Sequence, residues 1–217
     1  VRVTSNDLVG ELTGTEDLTI TKKAVTLTSA SDSKTYDGTP LTNDSVTAEG
    51  FVGDEGVTTH VNGSQTDAGS SKNTFAKPAY EAKAGTDLNN YDITTKEGTL
   101  TVKPVEKEVK VKITGHTDTV TYDGNKHEVT GYDVSIQQDG KAYDKYTTKD
   151  FEFTGTAKAE GTDAKTSYQM GLKPEQFKNK SANFTNVTFE VTDGSLTISK
   201  RPVTLTSATA SKVYDKT

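Results

Sequence analysis

Residues 18–39, LTITKKAVTLTSASDSKTYDGT, return at residues 196–217 as LTISKRPVTLTSATASKVYDKT, 178 positions later. Fifteen of the 22 aligned positions are identical, and most exchanges are mild, although Gly38 becomes Lys216. Self-similarity at a fixed spacing marks a tandem array, so the chain is expected to be a window onto one. Inside the stretch, Val25 and Leu27 alternate with Thr26 and Thr28. One apolar face and one solvated face at a period of two is the pattern of a half-buried β-strand.

The strand ending before this junction occurs three times: Thr15-Glu16-Asp17-Leu18-Thr19-Ile20, Glu97-Gly98-Thr99-Leu100-Thr101-Val102 and Asp193-Gly194-Ser195-Leu196-Thr197-Ile198. An acid and a glycine before an alternating pair read as a turn followed by a strand. A short basic joint follows each ending: Lys22-Lys23, Lys103-Pro104 and Lys200-Arg201-Pro202. Joints this short leave little hinge, and in two of them proline fixes its own φ and pushes the residue before it to an extended conformation. The expected division is the tail of a preceding unit at 1–23, a complete unit at 24–103, a longer unit at 104–200 and the first strand of a following unit at 201–217.

Further alternation gives Val109, Val111 and Ile113; Tyr132, Val134 and Ile136; Phe151 and Phe153; and Val187, Phe189 and Val191. No apolar i, i+3, i+4, i+7 pattern occurs, and only Lys173–Phe177, with Pro174 at a helix start, reads as a helical turn. The fold class is therefore all-β: tandem small antiparallel domains, an immunoglobulin-like sandwich favoured over a β-grasp arrangement in which that turn would be the remnant of a helix.

Hydrophobic residues make up 30 % of the 217, or about 38 % once the 18 glycines are counted, against roughly 45–50 % in an average globular chain. Thin cores follow. A net charge of −6 argues against nucleic acid, which requires a basic stripe. No apolar run approaches the roughly 20 residues that span a bilayer. The absence of cysteine excludes disulfides, thiolate metal sites and cysteine nucleophiles. His60, His116 and His127 lack metal-ligand spacing, and no P-loop, G-x-S-x-G or G-x-G-x-x-G occurs. Catalytic residues, cofactor and metal are each expected to be none, and the chain is expected to be monomeric.

Tyr36-Asp37-Gly38 and Tyr122-Asp123-Gly124 recur with Tyr214-Asp215. Each is expected to be a turn in which Asp bonds nearby backbone and Gly takes a positive φ, with the Tyr ring closing one end of a core. Tyr122→Ala would then cost its unit roughly 3 kcal/mol. The two units also share Thr66-Asp67-Ala68 with Thr162-Asp163-Ala164, and Asn90-Tyr91 with Asn183-Phe184.

The order Tyr-Asp-Gly, Thr-Asp-Ala, Asn-aromatic, Gly-x-Leu-Thr-(Ile/Val) resembles the YDG/MBG-type tandem repeat domains of bacterial, mostly Gram-positive, cell-surface proteins. The resemblance covers essentially the whole chain. It implies an extracellular, wall-attached stalk or adhesin region with no enzymatic role, its partners being neighbouring repeats and, in an adhesive alternative, host glycan or protein. Tyr143 and Tyr146, read as exposed, are the candidate ligand contacts for that alternative. Bacterial stalks also use intramolecular Lys–Asn isopeptide bonds, whose chemistry needs a buried neutral lysine. Lys110 or Lys112 with Asn183 or Asn186 are the candidates by strand position, although alternation puts both lysines opposite the Val/Ile face. Five N-x-S/T sequons, at Asn43, Asn62, Asn179, Asn183 and Asn186, are read as products of composition.

Overall fold

The computed structural model describes residues 19–216. Most of the expected tail of a preceding unit, residues 1–18, lies outside the described residues. The chain forms two compact units. The first holds the chain up to Lys34 together with Pro40–Val102; the second holds Thr35–Thr39 and the chain from Lys103 onward. Both are all-β, and the only helical elements among the described residues are two 3₁₀ turns, Leu88–Asn90 and Pro174–Gln176.

In the second unit, β9 (Val109–Gly115) is flanked by β12 (Tyr132–Gln138), antiparallel, and β18 (Val187–Thr192), parallel; the two-residue β13 (Lys141–Ala142) extends the edge. A second sheet orders β10 (Thr117–Thr121), β19 (Ser195–Ser199) and β16 (Lys165–Gln169), with β10 parallel to β19 and β16 antiparallel to it. Two antiparallel two-stranded pairs, β11 (His127–Thr130) with β15 (Lys158–Gly161) and β14 (Phe151–Phe153) with β17 (Phe177–Asn179), complete the unit. Val109, Val111 and Ile113 of β9 share one buried cluster with Leu196 and Ile198 of β19. Two sheets thus meet through their inward rows, as in a sandwich. Each of these aliphatic side chains contributes roughly 1.5–3 kcal/mol of burial. Aromatic rings fill the wider end: Phe153 stacks on Phe177 at 4.7 Å, and Phe151 meets Phe189 edge-on at 5.4 Å.

The first unit repeats this plan with fewer residues. β1 (Lys23–Ser29) lies between antiparallel β3 (Val46–Glu49) and parallel β7 (Tyr91–Lys96). A second sheet orders β2 (Asp32–Thr35), β8 (Gly98–Lys103) and β5 (Gly69–Asn73), and β4 (Val57–Val61) pairs with β6 (Phe75–Ala82). The bridge Leu41↔Gln65 corresponds to His127↔Gly161 in the second unit, each just before a Thr-Asp-Ala. Its core is thin, with Val25, Leu27, Val57 and Tyr91 in one cluster beside partly buried Phe51, Phe75, Tyr80, Leu88 and Ile93.

Two expectations change. The sheets are mixed, because each unit's opening and closing strands run parallel. The acid-Gly pairs also do not reverse the chain. β9 and β10 are separated only by His116 and lie in different sheets, as do β18 and β19 across Asp193-Gly194. Their partners keep one register throughout: Val109↔Val187 to Thr114↔Thr192, then Thr117↔Ser195 to Thr121↔Ser199, always 78 positions on. The glycines serve a crossing of two kinked strands. A β-carbon on Gly194 would lie 2.4 Å from the His116 carbonyl oxygen, and one on Gly98 would lie 2.4 Å from the carbonyl oxygens of Ser29 and Ala30.

Register also corrects one alignment. Tyr91 pairs with Lys23, two residues before buried Val25, as Val187 pairs with Val109, two residues before buried Val111. Tyr91 therefore matches Val187, and Asn183-Phe184 stands three residues earlier in the segment leading into β18.

Candidate functional site

The repeated Tyr-Asp-Gly turns are the feature that the sequence singles out, and their geometry is local. In the first, the Asp37 carboxylate accepts the Thr39 amide at 2.9 Å and the Thr39 hydroxyl at 2.7 Å. In the second, Asp123 accepts the Asn125 amide at 2.9 Å and the His127 ring Nε2 at 2.8 Å. These bonds, the Asn125 amide first and the His127 ring next, hold the Asp123 carboxyl down to about 2. Gly38 and Gly124 have φ of 81° and 85°, and Lys216 keeps the left-handed conformation at φ 65° in the third copy. Glycine adopts this region at no steric cost, whereas a β-carbon makes it strained, so the third copy carries that strain.

The three tyrosines differ. The Tyr36 amide donates to the Lys103 carbonyl at 2.8 Å and its ring meets Phe184 edge-on at 5.5 Å, all within the second unit. The Tyr122 amide makes the matching bond to the Ser199 carbonyl at 2.9 Å, but the residue remains 38 % exposed. It borders an open hollow with Asp163, Ala164, Lys200, Arg201 and Val203. The expectation that Tyr122 closes a core is corrected. Tyr214 is also exposed, as are Val203, Leu205 and Val213, and Lys212 lies 3.2 Å from Asp215.

The candidate ligand contacts are corrected as well. Tyr146 is 1 % exposed; its hydroxyl donates within reach of the Asp150 carbonyl (3.2 Å) and Asn179 Oδ1 (3.1 Å), and its ring stands edge-on to Phe184 at 5.0 Å. Burial pushes its phenol well above the usual range. Tyr143 is half-buried, with its ring edge-on to Phe184 at 6.2 Å. The intervening residues loop out while these two rings fold inward.

The isopeptide candidates are not brought into reactive surroundings. Lys110 pairs with Glu190 at 2.7 Å on a solvent-facing row, and that hydrogen bond raises the lysine's pKa, which keeps it protonated and non-nucleophilic. Lys112 is exposed, as is Asn186, while Asn183 is buried. The strand alternation that opposed the lysines to the Val/Ile face accounts for this.

His116 holds the Thr130 carbonyl at 2.8 Å and Asp133 at 3.4 Å, and His60 is exposed. Among the described residues no group of three or more His, Asp or Glu is placed to hold a metal ion. No described helix is long and apolar enough to cross a membrane. The Asn179 side chain is engaged with Tyr146, Ser181 and Phe184.

Sequence reading missed a surface charge cluster on β11 and β15. Lys158 reaches Glu128 and Glu160, each at 2.7 Å, and Lys126 reaches Glu160 at 2.8 Å, holding the Glu160 carboxyl down to about 2. The cross-strand pairs Glu128↔Glu160 and Thr130↔Lys158 create it, and that pairing is invisible before the register is known. No family model, curated protein or solved structure matches the chain.

Proposed function

We propose that this chain is a spacer: a pair of mechanical repeats in a bacterial surface protein, projecting a distal region away from the cell. The supporting observation is the parallel ladder of each unit. In the second unit the opening strands β9–β10 and the closing strands β18–β19 run side by side in the same direction over Val109–Thr121. The chain therefore enters at one end of the ladder and leaves at the other, along a contour of about 40 Å at roughly 3.3 Å per residue. Tension between entry and exit pulls the two strands past one another and strains many hydrogen bonds together. The first unit has the same arrangement, from Lys23↔Tyr91 to Thr28↔Lys96.

The cell-surface setting comes from the resemblance of the repeat pattern. The adhesive alternative loses Tyr146 as a ligand contact and keeps only the resemblance and the half-buried Tyr143 behind it. Small-angle scattering tests the spacer reading on this chain and on a chain carrying both units twice. The maximum dimension is expected to rise nearly in proportion to unit number. A rise no steeper than that of a compact globule of the same mass contradicts the reading.

A further inference from the structure

Each unit has a corner where the lead-in to its first strand, the lead-in to its parallel partner and the loop beyond the antiparallel partner converge. In the second unit that corner is occupied. Tyr36 stands edge-on to Phe184, which precedes β18, and Tyr143 from the loop after β13 meets the same Phe184. Tyr36 belongs to a Tyr-Asp-Gly turn, and Thr35–Thr39 is an integral part of that unit.

In the first unit the corresponding corner is a pocket. Ile20–Lys23 lead into β1, Asn89, Asn90 and Tyr91 lead into and begin β7, and Val52 and Glu55 come from the loop after β3. The cavity is about 310 Å³, room for an aromatic ring, and no described residue from elsewhere in the chain enters it. Val52 is 55 % and Ile20 87 % exposed at its rim, which is costly for aliphatic side chains. The second unit's own Tyr-Asp-Gly turn meanwhile leaves Tyr122 38 % exposed beside the still more exposed Val203.

We propose that this pocket is a docking site for the Tyr-Asp-Gly turn of another copy of this chain, with Tyr122 as the inserted ring. The occupied corner of the second unit is the template, and Lys22 and Lys23 at the rim offer cations to Asp123. The surfaces on the two partners differ, so the contact is heterologous: it propagates head to tail rather than closing a dimer. Within an array the same contact forms at the high effective concentration that a short joint provides, so it need only be weak between separate molecules. It concerns recognition between repeats and does not depend on whether they bear tension.

The test is a dilution series of the isotopically labelled full chain from micromolar to about millimolar concentration, the range that weak contacts of this kind require. The expected result is concentration-dependent amide shifts at Val52, Glu55, Asn90 and Tyr91 together with Tyr122–Asn125. Both sets are lost in Tyr122→Ser and, separately, in Val52→Asp. No shift at either set overturns the proposal. Shifts confined to Val203–Tyr214, or shifts that survive Tyr122→Ser, overturn it equally. Both variants alter exposed side chains, and their unchanged dilute spectra verify folding.

Discussion

A β-carbon on Gly115 would lie 2.3 Å from the backbone nitrogen of Gly194. These glycines mark the point where two parallel strands switch sheets together, so neither chain can move aside without breaking the ladder. Gly194→Ala is expected to destabilise the second unit by about 3 kcal/mol, the upper range for overpacking against fixed backbone. Thermal unfolding followed by circular dichroism checks this, and a melting point within a degree of the parent contradicts the close crossing.

The tyrosines of the second unit should separate by position. Tyr146→Ala is expected to cost about 3–5 kcal/mol, as for other buried aromatic truncations. Tyr122→Ala should cost less than about 1 kcal/mol, as an exposed substitution does. Denaturant unfolding of the two variants checks the order, and equal losses would return Tyr122 to the core.

At the first unit's crossing, Asn73 has no solvent exposure and supplies three contacts. Its Nδ2 donates to the carbonyls of Ala30 (3.0 Å) and Asn43 (2.8 Å), and its own carbonyl accepts the Ser29 hydroxyl at 2.6 Å. Asn73→Ala removes the donor to two half-buried carbonyls, a loss of about 0.5–1.5 kcal/mol for each hydrogen bond. The first unit should then unfold before the second in amide exchange. Unchanged protection at Val25 and Leu27 would count against this network.

Acid should weaken the second unit more than its sequence suggests. Asp123 and Glu160 titrate at about 2 in the folded chain, and Glu190 is lowered by Lys110. Depressed folded values mean that their contribution is present above the unfolded value near 4 and is lost as pH falls through each group's folded value, about 2 for Asp123 and Glu160. His116 acts in the opposite sense. The Thr130 carbonyl and then Asp133 raise its pKa, so its contribution is full below about 6.5 and is lost as pH rises through the folded value. All these groups face solvent, so salt should flatten both effects. Melting points between pH 2 and 8 at low and high salt provide the check.

The class and the inward rows were legible because β1, β9 and β18 alternate strictly; β1 and β9 bury their apolar rows, and β18 packs its row partly buried against the same core. β5 was not: Gly69–Asn73 carries no large apolar residue, and its single buried side chain is Asn73. β11, β15 and β16 are half-exposed strands whose polar residues carry no period-two signal. Parallel pairing of first and last strands is a relation between residues 78 positions apart, and no local pattern encodes it. The Tyr-Asp-Gly turn was legible in its Asp and Gly, whose bonds are local. It was misread in its Tyr, whose surroundings depend on distant chain.

The central claim is that entry and exit strands resist tension in shear, and single-molecule pulling tests it directly. The chain contains no cysteine, so introduced cysteines are unique handles. Handles at Lys107→Cys and Lys200→Cys load the ladder of the second unit lengthwise; handles at Lys107→Cys and Asn186→Cys open it from one end, bond by bond. Forced unfolding reports the barrier along the pulled direction. The account predicts a several-fold higher unfolding force for the lengthwise pair, and equal forces in the two geometries would contradict it.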